Sequence, residues 1–282
     1  KPHTTLFDDT DVELFANYRS WLSLNADIKL ERTRFDNLDS YFPNNNKFVA
    51  DEGLTLRQLY MTLRPAEGLS VYGGKIHPNF GSAYSAEPGI FYNFGTDYEQ
   101  DERIGFGLEY RLPGWLSRFN TRVSLETFYL DTTFLSTSLL SYLRLNDPFG
   151  GRPGRYERSQ FGPSNAGTFD SFTAAIRTGI PEQGLSGQLS FTQEATADPL
   201  GRTERGISIG ATYDPTGDGI PLTGRLGVTP YLEYAHFDNF GGEAGLRRDY
   251  AIGGLTFTDS RWQAILAGGI RHNSGAEHGT NL

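Results

Sequence analysis

Of the five histidines, His3, His77, His236, His272 and His278, one has a hydroxyl at a useful spacing. It lies in Ile270-Arg271-His272-Asn273-Ser274-Gly275. Residues two apart share a face of a strand, and a base beside a hydroxyl is the minimum for nucleophilic attack. No acid or amide that would orient His272 can be assigned from the sequence. A polar strand end entering a loop accounts for the same residues. The other charged residues with a regular spacing are Arg103, Arg111, Arg122, Arg177, Arg205, Arg225 and Arg271, with Glu109, Glu126, Glu194 and Glu233. Their chemistry is that of a charged lining, which attracts or repels ions. The absence of cysteine excludes thiol chemistry and thiolate metal sites. No glycine-rich phosphate loop opens a helix pattern. No cofactor and no metal site is expected.

The elements that carry these residues have a period of two. From Val12 to Leu30 the even positions read Val, Leu, Ala, Tyr, Ser, Leu, Leu, Ala, Ile, Leu. The odd positions are mostly polar or charged, which is the mark of a strand with one apolar face. The stretch is one long strand or a hairpin turning near Arg19-Ser20-Trp21. Residues 103–112 place Ile104, Phe106, Leu108 and Tyr110 opposite Arg103, Glu109 and Arg111. Residues 122–129 place Val123, Leu125, Thr127 and Tyr129 opposite Arg122, Ser124, Glu126 and Phe128. Residues 185–192 alternate in the same way, and further strands are expected at 54–64, 172–180, 205–213, 225–236, 249–258 and 262–272. No amphipathic helix pattern of ten residues or more is present.

Connections alternate between short and long. Short ones fall at 64–68, 113–116, 180–184 and 258–260, and long ones at 33–53, 77–101, 132–169, 237–247 and 273–282. Strands of about ten residues suit a tilted bilayer crossing. Tight turns at one end and long loops at the other suit a transmembrane barrel. A soluble antiparallel sandwich also alternates, but here the apolar faces end in aromatic residues, as at a membrane interface. The net charge of −9 argues against nucleic acid as a partner. No apolar run of about 18 residues is present to make a spanning helix. The expected fold is all-β: one transmembrane antiparallel up-and-down barrel over residues 1–282, with about 12–14 strands. A sheet in lipid cannot leave an open edge, so a closing strand is expected after the last strand of this sequence.

One hairpin carries a family resemblance. Residues 57–64, Arg-Gln-Leu-Tyr-Met-Thr-Leu-Arg, are followed by Val71-Tyr72-Gly73-Gly74-Lys75-Ile76-His77-Pro78-Asn79-Phe80-Gly81. This hairpin resembles one in Gram-negative porins and is similar to that of phosphate-selective and related porins. The resemblance covers about 25 residues and implies a strand that hands over to a long loop near Lys75. The dense arginine ladder of anion-specific porins is missing, so their substrate does not carry over. Segment 77–101 is the candidate constriction loop. It holds Phe80, Tyr84, Phe91, Tyr92, Phe94 and Tyr98 with the acids Glu87, Asp97, Glu99 and Asp101. The His272-x-Ser274 segment is in turn similar to that of outer-membrane phospholipases and lipid A deacylases, although Gly275 stands where those families carry Asn.

The expected function is passive diffusion of small hydrophilic solutes across a bacterial outer membrane, with a mild anion preference because wall arginines outnumber wall glutamates. Two other readings stand beside it: a plugged barrel that anchors another envelope or surface component, and a lipid hydrolase. The expected partners are outer-membrane lipid and lipopolysaccharide. A homo-oligomer, a trimer in the porin manner, or an envelope protein would be the protein partner.

Overall fold

The structure is a computed structural model. It describes residues 5–6, 10–32, 47–48, 52–83, 95, 97–136, 162–216, 219–223, 226–259 and 261–275. Glu87 and Arg225, and the loop aromatics Tyr84, Phe91, Tyr92 and Phe94, lie outside the described residues.

One 13-stranded sheet holds nearly all the regular structure. Its strands are β1 (Thr10–Arg19), β2 (Leu22–Arg32), β3 (Glu52–Ala66), β4 (Leu69–Ile76), β5 (Arg103–Arg111), β6 (Arg122–Leu130), β7 (Ser171–Ile180), β8 (Leu185–Glu194), β9 (Glu204–Tyr213), β10 (Ile220–Thr223), β11 (Leu226–Asp238), β12 (Arg247–Asp259) and β13 (Trp262–Ser274). Each strand pairs antiparallel with its neighbour in sequence, except that β9 skips to β11 and β10 pairs beside β11 alone. The chain from Val12 to Leu30 is therefore a hairpin, turning at Ser20-Trp21. The strands at the two ends of this order are β1 and β13. Thr5–Leu6 and Lys47–Phe48 form a separate parallel pair.

The polarity of this sheet is the reverse of a soluble protein. Leu24, Met61, Phe106, Leu125, Leu189, Ile209 and Leu232 are exposed on one face. Ser124, Glu126, Thr173, Ser190, Thr192, Ser208 and Glu233 are buried on the other. Tyr18, Trp21, Tyr110, Tyr213 and Trp262 stand exposed at the short-turn ends of their strands. That is where an aromatic girdle meets the headgroups of a bilayer. Apolar outside and polar inside is what a barrel wall needs when lipid replaces water around it.

Two irregularities re-aim side chains. Opposite β2, the pairing of β3 slips by one between Gln58 and Leu56. Such a bulge puts two consecutive residues on one face, and both Arg57 and Gln58 point inward. On β4, Gly74 has φ +137°, and a Cβ there would lie 2.3 Å from the Leu59 carbonyl oxygen. Glycine alone lets the backbones approach this closely.

Leu108 lies near the middle of β5, on the outer face opposite Val71 and Leu125. Leu108→Arg should destabilise the protein by about 2–4 kcal/mol in vesicles, measured by denaturant titration. A cost below about 1 kcal/mol would mean that this face does not meet hydrocarbon.

Candidate functional site

The chain leaves β4 at Ile76 and turns into the enclosed space. Its path from His77 to Ala83 crosses from β4 to the far wall. Asn79 donates to Glu126 of β6 and, at 3.3 Å, to the Tyr72 hydroxyl. The Gly81 N–H donates to Ser190 of β8 at 3.1 Å. Ser82 reaches Glu233 of β11 through its N–H at 2.7 Å and its hydroxyl at 2.9 Å. The Ala83 N–H adds a longer bond to Glu233 at 3.4 Å. The returning residues 97–102 use the same wall. The Tyr98 hydroxyl donates to Glu233 at 2.5 Å, and Tyr231 donates at 2.8 Å. Five donors thus converge on one buried carboxylate, which holds both limbs of the loop.

Around Glu233 lies an aromatic cluster. Phe80 packs on Phe237 with ring centroids 5.4 Å apart and edge-on to Tyr98 at 6.2 Å. Tyr98 lies 4.9 Å from Tyr250. The inner faces of β11 and β12 are apolar here, with Ala235 and Ile252 buried among the rings. The loop, rather than water, covers them.

The loop acids are neutralised by wall arginines. Arg57 bonds Glu99 at 3.0 Å and Asp101 at 2.7 Å. Asp97 bonds Arg271 of β13 at 2.7 Å, with Arg248 at 3.9 Å. Gln100 binds Thr192 and Glu194, and Arg103 approaches Glu194 at 3.5 Å. Burial pushes the Glu99 carboxyl up, against Arg57 and His77, which pull it down. Burial also raises Asp101, but hydrogen bonds from His77 and Arg57 outweigh it and hold that carboxyl well below the usual range. Burial raises the Tyr98 hydroxyl, helped by the Glu233 charge beside it. His77, Glu99 and Asp101 bring three ligand-type atoms within 4.8 Å of one another. Arg57 already supplies their cation, so the cluster works as an ion-pair neck that joins the two ends of the loop.

The expected lining residues fall into three groups. Arg103, Glu126, Glu194, Glu233 and Arg271 are on the inner face and are engaged by the loop or its neck. Glu109, Arg111, Arg122 and Arg177 are also inside, nearer the short-turn end. There Arg111, Arg122 and Arg177 are successive register partners on β5, β6 and β7. Arg122 has Glu109 at 3.5 Å, and Arg177 donates to Gln188 at 2.8 Å. Arg111 has no charged partner among the described residues. Arg122 and Arg177 line a cavity of about 700 Å³ with Ser82 and Gln188.

Two residues are not where the sequence suggests. Arg205 is on the outer face: β9 alternates with Glu204, Gly206 and Ser208 buried, so Arg205 shares a face with Ile207 and Ile209. Its guanidinium reaches Gln193 on the same outer face at 3.2 Å. Lys75 is not part of the constriction. Its register partners Leu59 and Ile104 place it on the outer face. It is buried there with Glu102 at 2.7 Å, Asp131 at 3.1 Å and the Leu135 carbonyl at 3.1 Å. Segment 131–136 therefore folds over the outside of the wall and hides the lysine. Arg57 and Arg248 are site residues that strict alternation missed. The signal for Arg57 was two consecutive polar residues between Leu56 and Leu59.

His272 and Ser274 share the outer face of β13 with Ile270. Asp249 lies across from His272 in register but is bonded to Tyr234 at 2.6 Å and to His236 at 2.8 Å. No hydrogen bond joins His272 to Ser274 among the described residues.

Inverted wall polarity, antiparallel neighbours in sequence order and a loop folded into the interior are now all in place. This is the fold of a porin-like outer-membrane β-barrel. No protein-family model matches the sequence, and no curated protein sequence matches it. Among solved structures, the chain is similar to the outer membrane channel DcaP of Acinetobacter baumannii, with 12% identity and a TM-score of 0.49. That match covers 94% of this chain and 66% of DcaP, so the chain spans just under two thirds of that channel's length. It is also similar to OmpT, an outer membrane protein of Vibrio cholerae, with 10% identity, 95% and 80% coverage and a TM-score of 0.43. A mutant Rh. blastica porin matches with 10% identity, 94% and 89% coverage and a TM-score of 0.36. These are likenesses of fold.

Glu233→Gln keeps the volume but puts an amide N–H₂ among donors. An unsatisfied buried partner costs about 1–3 kcal/mol, so the loop should detach while the wall stays folded. Chymotrypsin should then cut at Phe80 or Tyr98 faster than in the parent protein. Unchanged cleavage with an intact barrel would show that Glu233 does not hold the loop.

Proposed function

We propose that this chain is a narrow outer-membrane channel for passive diffusion of small hydrophilic solutes, with a mild preference for anions. The observation that carries this reading is the row Arg111–Arg122–Arg177 beside the 700 Å³ cavity. Directly opposed residues on neighbouring strands lie about 4.5–5.5 Å apart at Cα. Three guanidinium groups on one short stretch of wall raise the local anion concentration. Glu109 offsets part of that charge, and salt screens the rest over about 8 Å at physiological ionic strength, so the preference is mild. The loop acids scarcely oppose it, because Arg57 and Arg271 already neutralise them.

The plugged-barrel reading has one observation in its favour, the packing of Phe80 and Tyr98 into the aromatic cluster. Planar-bilayer recording separates the two. The channel reading expects small, discrete conductance steps and a reversal potential biased toward anions. Replacing Arg111 and Arg122 together by Gln should move that potential toward cation selectivity. Correctly folded but silent protein would sink the channel and favour the plugged barrel.

A further inference from the structure

We infer that the smaller cavity of the lumen is a binding site for a neutral, hydroxylated six-membered ring, as in a monosaccharide. The inference rests on the channel reading only for the solute's access. The cavity holds about 250 Å³ on the inner faces of β3 and β4. That is just under the roughly 300–1,000 Å³ range of sites for drug-sized ligands, so its occupant is a single small ring. Tyr60 and Tyr72 both line it, with ring centroids 6.1 Å apart and planes tilted by 57°. Tyr72 is held before any solute arrives. Its hydroxyl donates to Glu126 at 2.5 Å, and its ring lies so close over Gly107 that a Cβ there would be 2.7 Å from Cζ. A rigid aromatic face costs little ordering on binding.

The polar groups around that face are free to serve a solute. Gln58, Tyr60 and Ser70 line the cavity, and their side chains make no hydrogen bond to another described residue. Together they offer an amide that donates and accepts and two hydroxyls that do both. That set matches the hydroxyls of a sugar, while its C–H face covers a tyrosine ring. The competing chemistries fit less well. An aromatic solute without hydroxyls would strand these groups, and sites built to hydrogen-bond reject analogues that cannot. An anion would meet the carboxylate of Glu109. A zwitterionic amino acid needs both Arg64 and Glu109, but Arg64 donates to Ser23 and Glu109 is held by Arg122.

The test is saturation-transfer NMR on the full detergent-solubilised chain, with D-glucose, the acyclic hexitol sorbitol and glycine as probes. Transfer to the glucose ring protons is expected, with little to sorbitol or glycine. Tyr60→Leu and Gln58→Leu should each weaken the glucose signal about fivefold, the worth of a lost hydrogen bond, with circular dichroism unchanged. No transfer to glucose, equal transfer to sorbitol, stronger transfer to glycine, or full signal in both folded variants would each overturn the site. The readout does not require conduction. Glucose binding to a protein that is silent in bilayers would reject the channel and keep the site; conduction without glucose transfer would do the reverse.

Discussion

A strand that turns leucine outward must turn its next residue inward, and nearly every charge on this wall is placed by that rule. The backbone has no say in it, because its N–H and C=O groups are spent on neighbouring strands wherever lipid offers no partner. Only side-chain polarity separates the faces. Moving β6 by one residue would exchange Leu125 with Glu126 and carry Arg122 outward. A cationic side chain in hydrocarbon costs about 2–4 kcal/mol at mid-depth, so register is strongly specified throughout the sheet.

Once polar residues are committed to the inside, they need partners, and the constriction loop supplies them. Glu126, Glu194 and Glu233 are buried acceptors. Asn79, Gln100, Ser82 and Tyr98 are the loop donors that meet them. The exchange is reciprocal, since the loop brings Asp97, Glu99 and Asp101 to wall arginines that would otherwise be uncompensated. Breaking one partner of a buried pair costs more than the pair contributes. Loop and wall are therefore each incomplete without the other. The arginines beyond the loop's reach, Arg111, Arg122 and Arg177, are the ones whose charge is left for solutes.

The legible part of the sequence was its period. Alternation placed Ile104, Phe106 and Leu108 outside and Glu109, Glu126 and Glu233 inside, because a half-apolar strand has one way to face. Alternation fails where something other than lipid or water covers the wall. Lys75 follows the outward parity of Gly73, yet segment 131–136 buries it, and no local pattern announces a partner at Asp131. The apolar inner residues Phe237, Tyr250 and Ile252 look misplaced until Phe80 and Tyr98 are seen against them. Those contacts join residues more than 130 apart in the chain, beyond any window of periodicity. Arg205 was assigned by its charge, when its parity with Ile207 was the better guide.

The crossing loop also divides the interior. Asn79 borders the small tyrosine-lined cavity, and Ser82, three residues on, borders the large arginine-lined one. The two spaces share one ion pair, since Glu109 lines the first, Arg122 lines the second, and they stand 3.5 Å apart. Both side chains are partly exposed, so water weakens the pair and leaves it easy to perturb. An anion that draws Arg122 toward the large cavity uncovers the Glu109 carboxylate in the small one. A hydroxylated solute that donates to Glu109 releases Arg122 in the same way. The charge seen on one side of the loop thus depends on what occupies the other, through a single contact well inside a Debye length of about 8 Å.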